Sequence, residues 1–373
     1  MDITIVIVSY RVKHFLEQTI RSAQEALEGL RGEIIVVDNN SGDDTMAFVK
    51  PKFPDVTFIE NTENVGFARA NNQAIMQARG AFTLILNPDT IITGESLRRP
   101  LQWMQEHPDC GAIGLHMIDG NGHFLPESKR AFPTPWVSFC KIFGLSKLFP
   151  RSRFFAKYHL RYLDEWQPHA IDILAGAYML CRTPLLQQVG GFDEDFFMYG
   201  EDIDLSYRMV KAGYRNWYLP VNMLHYKGES TKKDSMRYVK VFYEAMLIFY
   251  RKHFPRFRTV VYPLIKLGVL VRQGMAVMRR IFTRICPRTS ATALEDRAGW
   301  VILSQTPEAV AQVAGIKQWT TSIPQEGAAN VLLDDASLSY QQIVDTIAAS
   351  PRHDVFFHIY AHHSRIVITP KMN

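Results

Sequence analysis

A chain of 373 residues, 47% hydrophobic and 21% charged, has room for one large α/β domain with a small companion, and its balance excludes disorder and a collagen-like fibre. Its first residues, Met1-Asp2 and then an apolar β-branched run, lack the basic stretch and apolar helix of a secretory signal. The four cysteines (Cys110, Cys140, Cys181 and Cys286) have no paired spacing, which excludes a zinc knuckle or a disulfide scaffold and predicts reduced, buried thiols in a cytoplasmic protein. The net charge of +5 is unevenly spread, because Arg251 to Leu294 holds ten Lys and Arg residues and no acid, a block that marks a separate segment.

The run at Ile3–Val8 is fit for a strand buried on both faces. A helix is predicted over Lys13–Leu27, with Phe15, Leu16, Ile20, Ala23 and Leu27 on one side. Strands follow at Glu33–Val37, ending at Asp38, and at Val56–Ile59. A helix over Phe67–Arg79 then precedes a fourth strand, Phe82–Leu86, which ends at Asn87-Pro88-Asp89. This alternation predicts a doubly wound, mostly parallel sheet, whose ligands bind beyond the carboxyl ends of its strands. Both acidic turns lie at such ends. The turn after the first strand, Ser9-Tyr10-Arg11-Val12-Lys13, has no glycine, so a dinucleotide site of the Gly-x-Gly-x-x-Gly kind is not expected.

Pro126–His169 is rich in aromatic, proline and basic residues and weakly periodic. It reads equally as an acceptor-side lid or as irregular packing. A strand pattern returns at Ile171–Cys181, a helix at Glu201–Ala212, and short strands at Tyr214–Leu219 and Asn222–Tyr226. Asp234–Phe282 is helical in pattern. Lys266 and Arg272 interrupt its apolar part, which suits a basic amphipathic helix on an anionic membrane surface, through residues 251–288, better than a spanning one. A solvated helix docked on its own protein remains open. Trp300–Ser304, Pro307–Ala314, Asn330–Leu333, Tyr340–Ala349 and Val355–Ile359 repeat the strand–helix pattern. The chain thus divides into residues 1–250, a basic segment at 251–292 and a small α/β unit at 293–373, whose role is regulatory, partner-binding or structural.

Four positions carry the chemistry. Asp38, within Val36-Val37-Asp38-Asn39-Asn40-Ser41, can accept the imide N–H of uracil or thymine, with the Asn and Ser of that stretch beside it for the ribose, and Ser9 and Asn40 are donor-binding candidates; Asn39–Asp44 equally suits a cap of the next helix. Asp89 is placed to hold a divalent metal against a diphosphate, with Asn87 as a neutral ligand or orienting group, although Asn-Pro-Asp is also a common turn. Glu201, Asp202 and Asp204 crowd a helix start. Simple charge placement at a helix N-terminus accounts for part of this, and one of the three can serve as general base to an acceptor hydroxyl. His225 follows a short strand and, taken alone, reads as structural.

In this order the motifs resemble those of family 2 glycosyltransferases of the GT-A fold, closest to the bacterial rhamnosyltransferase-like branch, over residues 2–250. The resemblance rests on Val36-Val37-Asp38-Asn39-Asn40-Ser41, on Glu63-Asn64-Val65-Gly66-Phe67-Ala68-Arg69-Ala70-Asn71-Asn72, on Asn87-Pro88-Asp89, and on Gly200-Glu201-Asp202-Ile203-Asp204-Leu205-Ser206-Tyr207-Arg208. It implies an inverting transfer from a nucleotide sugar, with Asp38 on the nucleobase, Asp89 and His225 on Mg²⁺ or Mn²⁺, and Asp202 as base. Gly66, Phe67 and Arg69 fall in the segment lining the donor. Many relatives carry Asp-x-Asp where this chain has Asn87-x-Asp89, and losing one charge should weaken metal binding. The implied partners are dTDP-rhamnose or a UDP-sugar and a glycan or lipid-linked acceptor, with no nucleic acid, at the inner face of the cytoplasmic membrane. A nucleotidyltransferase shares the acidic nucleotide site, but Ser9-Tyr10-Arg11 lacks its glycine-rich basic loop. A non-catalytic glycan-binding scaffold would not need Asp89, Asp202 and His225 together.

Overall fold

The computed structural model describes residues 1–226, 236–255, 263 and 298–370. The basic segment 251–292 lies almost wholly outside the described residues, and with it Cys286 and the expected amphipathic helix. No described helix is long and apolar enough to cross a membrane.

The first unit is built on β1 (Ile3–Ser9), whose seven residues are all buried. Side chains on both its faces are apolar, so it can sit only in the middle of a covered sheet. It pairs in parallel with β2 (Gly32–Asp38) on one side and β4 (Phe82–Leu86) on the other, and β3 (Thr57–Glu60) extends the edge beyond β2. Between them run α1 (Lys13–Ala26), the short α2 (Thr45–Val49) and α3 (Phe67–Ile75). The register sets Ser9 opposite Asp38, so both strands present their carboxyl ends at one edge.

Beyond β4 the sheet becomes mixed. Its order is β3-β2-β1-β4-β8-β6-β9-β5, with β7 also on β9. The two-residue β5 (Thr90–Ile91) leads into α4 (Gly94–Glu106) and β6 (Cys110–Ile118). Periodicity gave no sign of these last two elements. Arg98, Arg99 and Pro100 interrupt the helical pattern, and Gly111 and Gly114 the strand pattern. The glycines serve close approach: a Cβ on Gly111 would meet the Tyr214 Cβ at 2.8 Å, and one on Gly114 the Leu174 side chain at 3.1 Å.

Helices α5 (Pro135–Ile142) and α6 (Leu145–Leu148) lie in the expected excursion. The strand pattern at 171–181 resolves into β7 (His169–Ile171) and β8 (Tyr178–Arg182), and β8 runs antiparallel to β4 and β6. After α7 (Thr183–Gln188) and α8 (Glu201–Lys211), the two expected short strands form one, β9 (Arg215–His225). Its register against β6 shifts opposite Leu115 and His116, an irregularity that breaks the alternation without breaking the ladder.

Helix α9 (Met236–His253) is tied back to α8 through Asp204. That carboxylate is fully buried and accepts from Arg208 Nε at 2.7 Å and from His253 Nε2 at 2.6 Å. Burial would raise its pKa, but the hydrogen bond from His253 and the charge of Arg208 outweigh it and hold the group below the usual carboxylate range.

The C-terminal unit is a second sheet, β11-β10-β12-β13-β14. It comprises β10 (Gly299–Leu303), β11 (Trp319–Thr320), β12 (Ala329–Asp334), β13 (Val355–Ala361) and β14 (Ile366–Ile368), with α10 (Pro307–Ala314) and α11 (Tyr340–Ala349). Only β14 pairs antiparallel. Leu333, Ile343, Val344 and Phe357 share one apolar cluster with Ile91, Ile118, Leu224 and Tyr226 of the first sheet. Polar contacts surround it: Tyr226 Oη donates to Gln18 Oε1 at 2.7 Å, and the Tyr340 amide to Glu25 Oε1 at 2.9 Å. The described cysteines, Cys110, Cys140 and Cys181, are free and buried.

Because that cluster belongs to both sheets, Leu333→Ala is expected to cost about 2–5 kcal/mol and to lower a single melting transition common to both units. Following unfolding by circular dichroism and by tryptophan fluorescence checks this; independent melting of the C-terminal unit would refute a shared core.

Candidate active site

Residues distant in sequence converge beyond the carboxyl ends of β1, β2 and β4 on a cavity of about 380 Å³. Asn87, Asp89 and His225 lie on one side of it, Glu201 and Asp202 on another, and Tyr10, Asn39, Asn64 and Phe67 along the β1–β2 edge. The excursion between β6 and β7 supplies Glu127, Arg130, Lys141, Tyr158 and His159. Its role as a wall of the cavity, rather than packing alone, is thereby a structural fact.

The turn that carries Asp89 is held from behind. The Thr19 hydroxyl lies 2.9 Å from the Pro88 carbonyl oxygen and 2.8 Å from that of Thr90, and the Asn87 amide donates to Ala177 O at 3.1 Å. Thr90 in turn pairs with His225 across β5 and β9. This pairing sets Asp89 Oδ1 3.4 Å from His225 Nε2, with Asn87 Nδ2 also 3.4 Å from that nitrogen. Both side chains are nearly buried, and His225 Nδ1 has no partner.

A carboxylate and an imidazole at this separation can share one ion, since two bonds of about 2.1 Å span the gap. Among the described residues no group of three or more His, Cys, Asp or Glu side chains could hold a metal. The donor set therefore suits a hard divalent ion that completes its shell with phosphate oxygens and water, as Mg²⁺ and Mn²⁺ do.

Across the cavity, Gly200 adopts φ +84°, a left-handed turn that a side chain would strain, and α8 starts at Glu201. Asp202 Oδ2 accepts from Arg130 Nη2 at 2.5 Å and its Oδ1 from the Ile203 amide at 2.8 Å. Arg130 also donates to the Leu174 carbonyl at 2.5 Å. Although burial works against the guanidinium charge, Asp202 and Tyr158 more than restore it and drive its pKa up. The buried Tyr158 hydroxyl lies below its ordinary value: burial would raise it, but Lys141 and Arg130 outweigh that. His159 is pushed down to about 3, by burial first and by Lys141 second, and is neutral at physiological pH.

Glu201 behaves differently from its neighbour. Burial, reinforced by the adjacent Asp202 charge, pushes its carboxyl up to about 8, and Glu201 Oε2 has no partner. It is protonated at neutral pH and cannot take a proton there.

The remaining sequence candidates do not line the cavity. Ser9 is fully buried with an unpartnered hydroxyl. The Asp38 carboxylate accepts from the Ser41 amide at 3.0 Å and from the Ser41 hydroxyl at 2.5 Å, closing the turn after β2. Asn40 is exposed at φ +59°. Its neighbour Asn39 is the one that faces inward, donating to Asn64 Oδ1 at 3.0 Å and accepting from the Val65 amide at 3.0 Å. Gly66, at φ +87°, packs so closely on Phe197 that a Cβ would lie 2.7 Å from its carbonyl oxygen. Arg69 is exposed and paired with Glu194 at 3.2 Å. Asp204 serves the α8–α9 junction.

Arg130, Lys141, Tyr158 and His159 belong to no local motif. The one signal in the sequence was regional: between Ser128 and Leu163 there are eight Lys and Arg residues and no acid.

An α/β sheet with polar and acidic side chains gathered past its strand ends places a ligand site there. Residues 4–189 match the family described as Glycosyl transferase family 2. The N-acetylglucosaminyl-diphospho-decaprenol L-rhamnosyltransferase of Mycobacterium tuberculosis is 28% identical over 257 residues, which cover 66% of this chain and 82% of that protein. The poly-beta-1,6-N-acetyl-D-glucosamine synthase of Staphylococcus aureus is 26% identical over 223 residues, covering 59% of this chain and 48% of that one. In fold, the chain is similar to GalNAc-T7, solved with UDP, GalNAc and Mn²⁺, at TM-score 0.52 and 13% identity over 72% of this chain and 51% of that one. The chain belongs to glycosyl transferase family 2, with a GT-A fold. It is a glycosyltransferase.

The raised Glu201 pKa has a sign. Between the ordinary carboxyl value of 4.5 and about 8 the folded state holds a proton that the unfolded state has released, so stability falls as pH rises through that window. Glu201→Gln should flatten the decline. Urea denaturation at several pH values tests it, and a slope unchanged in the variant would assign the proton elsewhere.

Proposed function

We propose that this glycosyltransferase moves a sugar from a nucleoside-diphosphate donor, dTDP-rhamnose or a UDP-sugar, to a hydroxyl of a lipid-linked glycan, with inversion at the anomeric carbon. The observation that supports it most is the meeting of Asn87, Asp89 and His225 with Glu201 and Asp202 in one cavity. A lipid-linked acceptor accords with the acceptor named for the mycobacterial relative and with work at the inner face of the cytoplasmic membrane.

Asp38, buried at the end of β2, holds the base end of the donor. Each of its oxygens accepts one hydrogen bond from Ser41 and keeps a lone pair for the imide N–H of uracil or thymine. Ser9, Asn40, Gly66, Phe67 and Arg69 shape the same end, with Asn39 organising the loop through its amide. Asp89 and His225 would hold the divalent ion, with Asn87 beside them, and a bound Mg²⁺ or Mn²⁺ supplies positive charge to the departing diphosphate.

The acceptor oxygen forms its bond to the anomeric carbon from the face opposite the diphosphate. The electron pair of the breaking bond leaves with the diphosphate, and the acceptor proton passes to Asp202. Arg130 fixes that carboxylate against α8, so no rotation is needed before the proton arrives. Glu201, already protonated, is no rival for this step, and its un-ionised state spares Asp202 a second adjacent negative charge.

Two substitutions separate these roles. A thermal-shift and hydrolysis screen of nucleotide sugars should find one donor that stabilises the protein with Mn²⁺ or Mg²⁺. Asp89→Ala should abolish that metal-dependent increment. Because Asp89 and His225 are the two side chains proposed to hold the ion, and no group of three or more His, Cys, Asp or Glu side chains could hold one among the described residues, Mn²⁺ alone is expected to give a far smaller shift than Mn²⁺ with the matching nucleoside diphosphate.

In Asp202→Asn, turnover should fall at least about a hundredfold, the lower end of what base catalysis provides, while the donor-induced shift persists. Near-normal turnover there would remove Asp202 as base. No response to any nucleotide sugar would favour a non-catalytic member of the fold.

A further inference from the structure

We infer that the hairpin formed by α5, α6 and the chain up to Lys157 is a docking surface for an anionic phospholipid membrane, placed at the mouth of the catalytic cavity. The link to a lipid-linked acceptor rests on the function proposed above; the surface itself does not.

Two independent features coincide there. The first is apolar. Trp136, Phe143, Leu148, Phe149 and Phe154 are 38–69% exposed, five of the eleven large apolar side chains exposed among the described residues. The four aromatic ones are joined through Phe139 and Phe155 into one strip: Trp136 lies 4.9 Å from Phe154 and 5.6 Å from Phe139, Phe139 4.6 Å from Phe143, and Phe155 5.1 Å from both Phe154 and Phe149; Leu148 adjoins Phe149 in the chain. A contiguous strip of this kind marks an interaction surface, where scattered exposed residues would not.

The second is charge. Lys141, Lys147, Arg151, Arg153, Lys157 and Arg161 are exposed around the strip, in a stretch without a single acidic residue from 128 to 163. Aromatic rings that settle at the headgroup level, rimmed by cations that meet anionic headgroups, are what an interfacial element requires.

The hairpin is anchored from behind, so its outer face is held outward. Val137, Cys140, Ala156 and Leu160 are buried beneath it. The Ser138 hydroxyl lies 3.2 Å from Tyr250 Oη, and Tyr250 donates to the Pro133 carbonyl, joining α5 to α9. Lys141 belongs both to this element and to the cavity wall, and Tyr158 of that wall directly follows it, so a membrane on the outer face lies next to the cavity. A second copy of the chain is a poor occupant, since a two-fold contact would set one all-cationic rim against another.

The test is sedimentation of the full chain with vesicles of phosphatidylglycerol and phosphatidylcholine, and with phosphatidylcholine alone. The parent should bind the anionic vesicles and release in high salt. Combined Leu148→Glu, Phe149→Glu and Phe154→Glu, and separately Lys147→Glu, Arg151→Glu and Arg153→Glu, should each weaken binding at least tenfold. Melting temperature, and transfer to a short water-soluble acceptor, should stay at the parent level in both variants.

Anionic vesicle binding that is absent in the parent, or undiminished in both variants, overturns the inference. So does parent self-association, seen by light scattering, that the variants lose, which would give the face to a second copy. Loss of transfer to every acceptor by the parent would instead count against the proposed function and leave the vesicle result standing.

Discussion

The ion pair between Arg130 and Asp202, with the ring contact of Phe132 and Tyr207 beside it, joins parts of the chain far apart in sequence. Arg130 lies at the start of a long excursion with little regular structure, and Asp202 in the first turn of α8; their contact at 2.5 Å, together with the bond from Arg130 to Leu174 O, closes the cavity on the side away from the strand ends. A charged pair this far from solvent depends on fixed geometry: Arg130 Nη2 serves both Asp202 and the Leu174 carbonyl, while its Nε finds no partner. The excursion is therefore fixed wherever α8 is fixed, and its other residues, Lys141, Tyr158 and His159, are carried into the wall with it.

Electrostatic division of labour follows from the same arrangement. Adjacent carboxyls at 201 and 202 cannot comfortably ionise together in a buried place. Arg130 hydrogen-bonds Asp202 and acts on Glu201 only through its charge, which burial and the Asp202 charge outweigh, so Glu201 is pushed towards keeping its proton. At the opposite wall Asp89 and His225 face each other with no cation of the protein between them. One side of the cavity thus carries protein cations and the other a pair of open ligand atoms, an asymmetry that suits a substrate with a charged diphosphate at one end and a neutral hydroxyl at the other.

The C-terminal unit bears on this site indirectly. Its apolar cluster contains Ile91, Leu224 and Tyr226, the residues that immediately follow or flank Asp89 and His225 in the chain. Packing Leu333, Ile343 and Phe357 against them buttresses the β5–β9 pair that sets the 3.4 Å separation of the two candidate ligands. A structural role was one of three that the sequence left open, and this shared core gives it a physical basis.

Hydrophobic runs without alternation could belong only to a covered sheet, so β1, β2 and β4 were legible, as were the helices between them and the strand–helix rhythm of the last eighty or so residues. The acidic turns at Asp38 and Asp89 were legible too, because polar residues that abruptly end a buried strand stand at its carboxyl edge. Elements interrupted by glycine, proline or charge were not: β6 and α4 draw their stability from neighbours such as Tyr214 and Leu185, which no local pattern reveals. Nor could the sequence place β8 antiparallel or merge two short strands into β9. Within the site, Asp89, Asp202 and His225, which the sequence singled out, come together on one cavity, whereas Asn39 in place of Asn40 as the inward amide was decided by a backbone turn. Arg130, Tyr158 and Lys141 were chosen by contacts across dozens of residues of chain. Composition determined that a basic, aromatic stretch existed; only the tertiary structure decided which of its faces is buried against the cavity and which is turned to the outside.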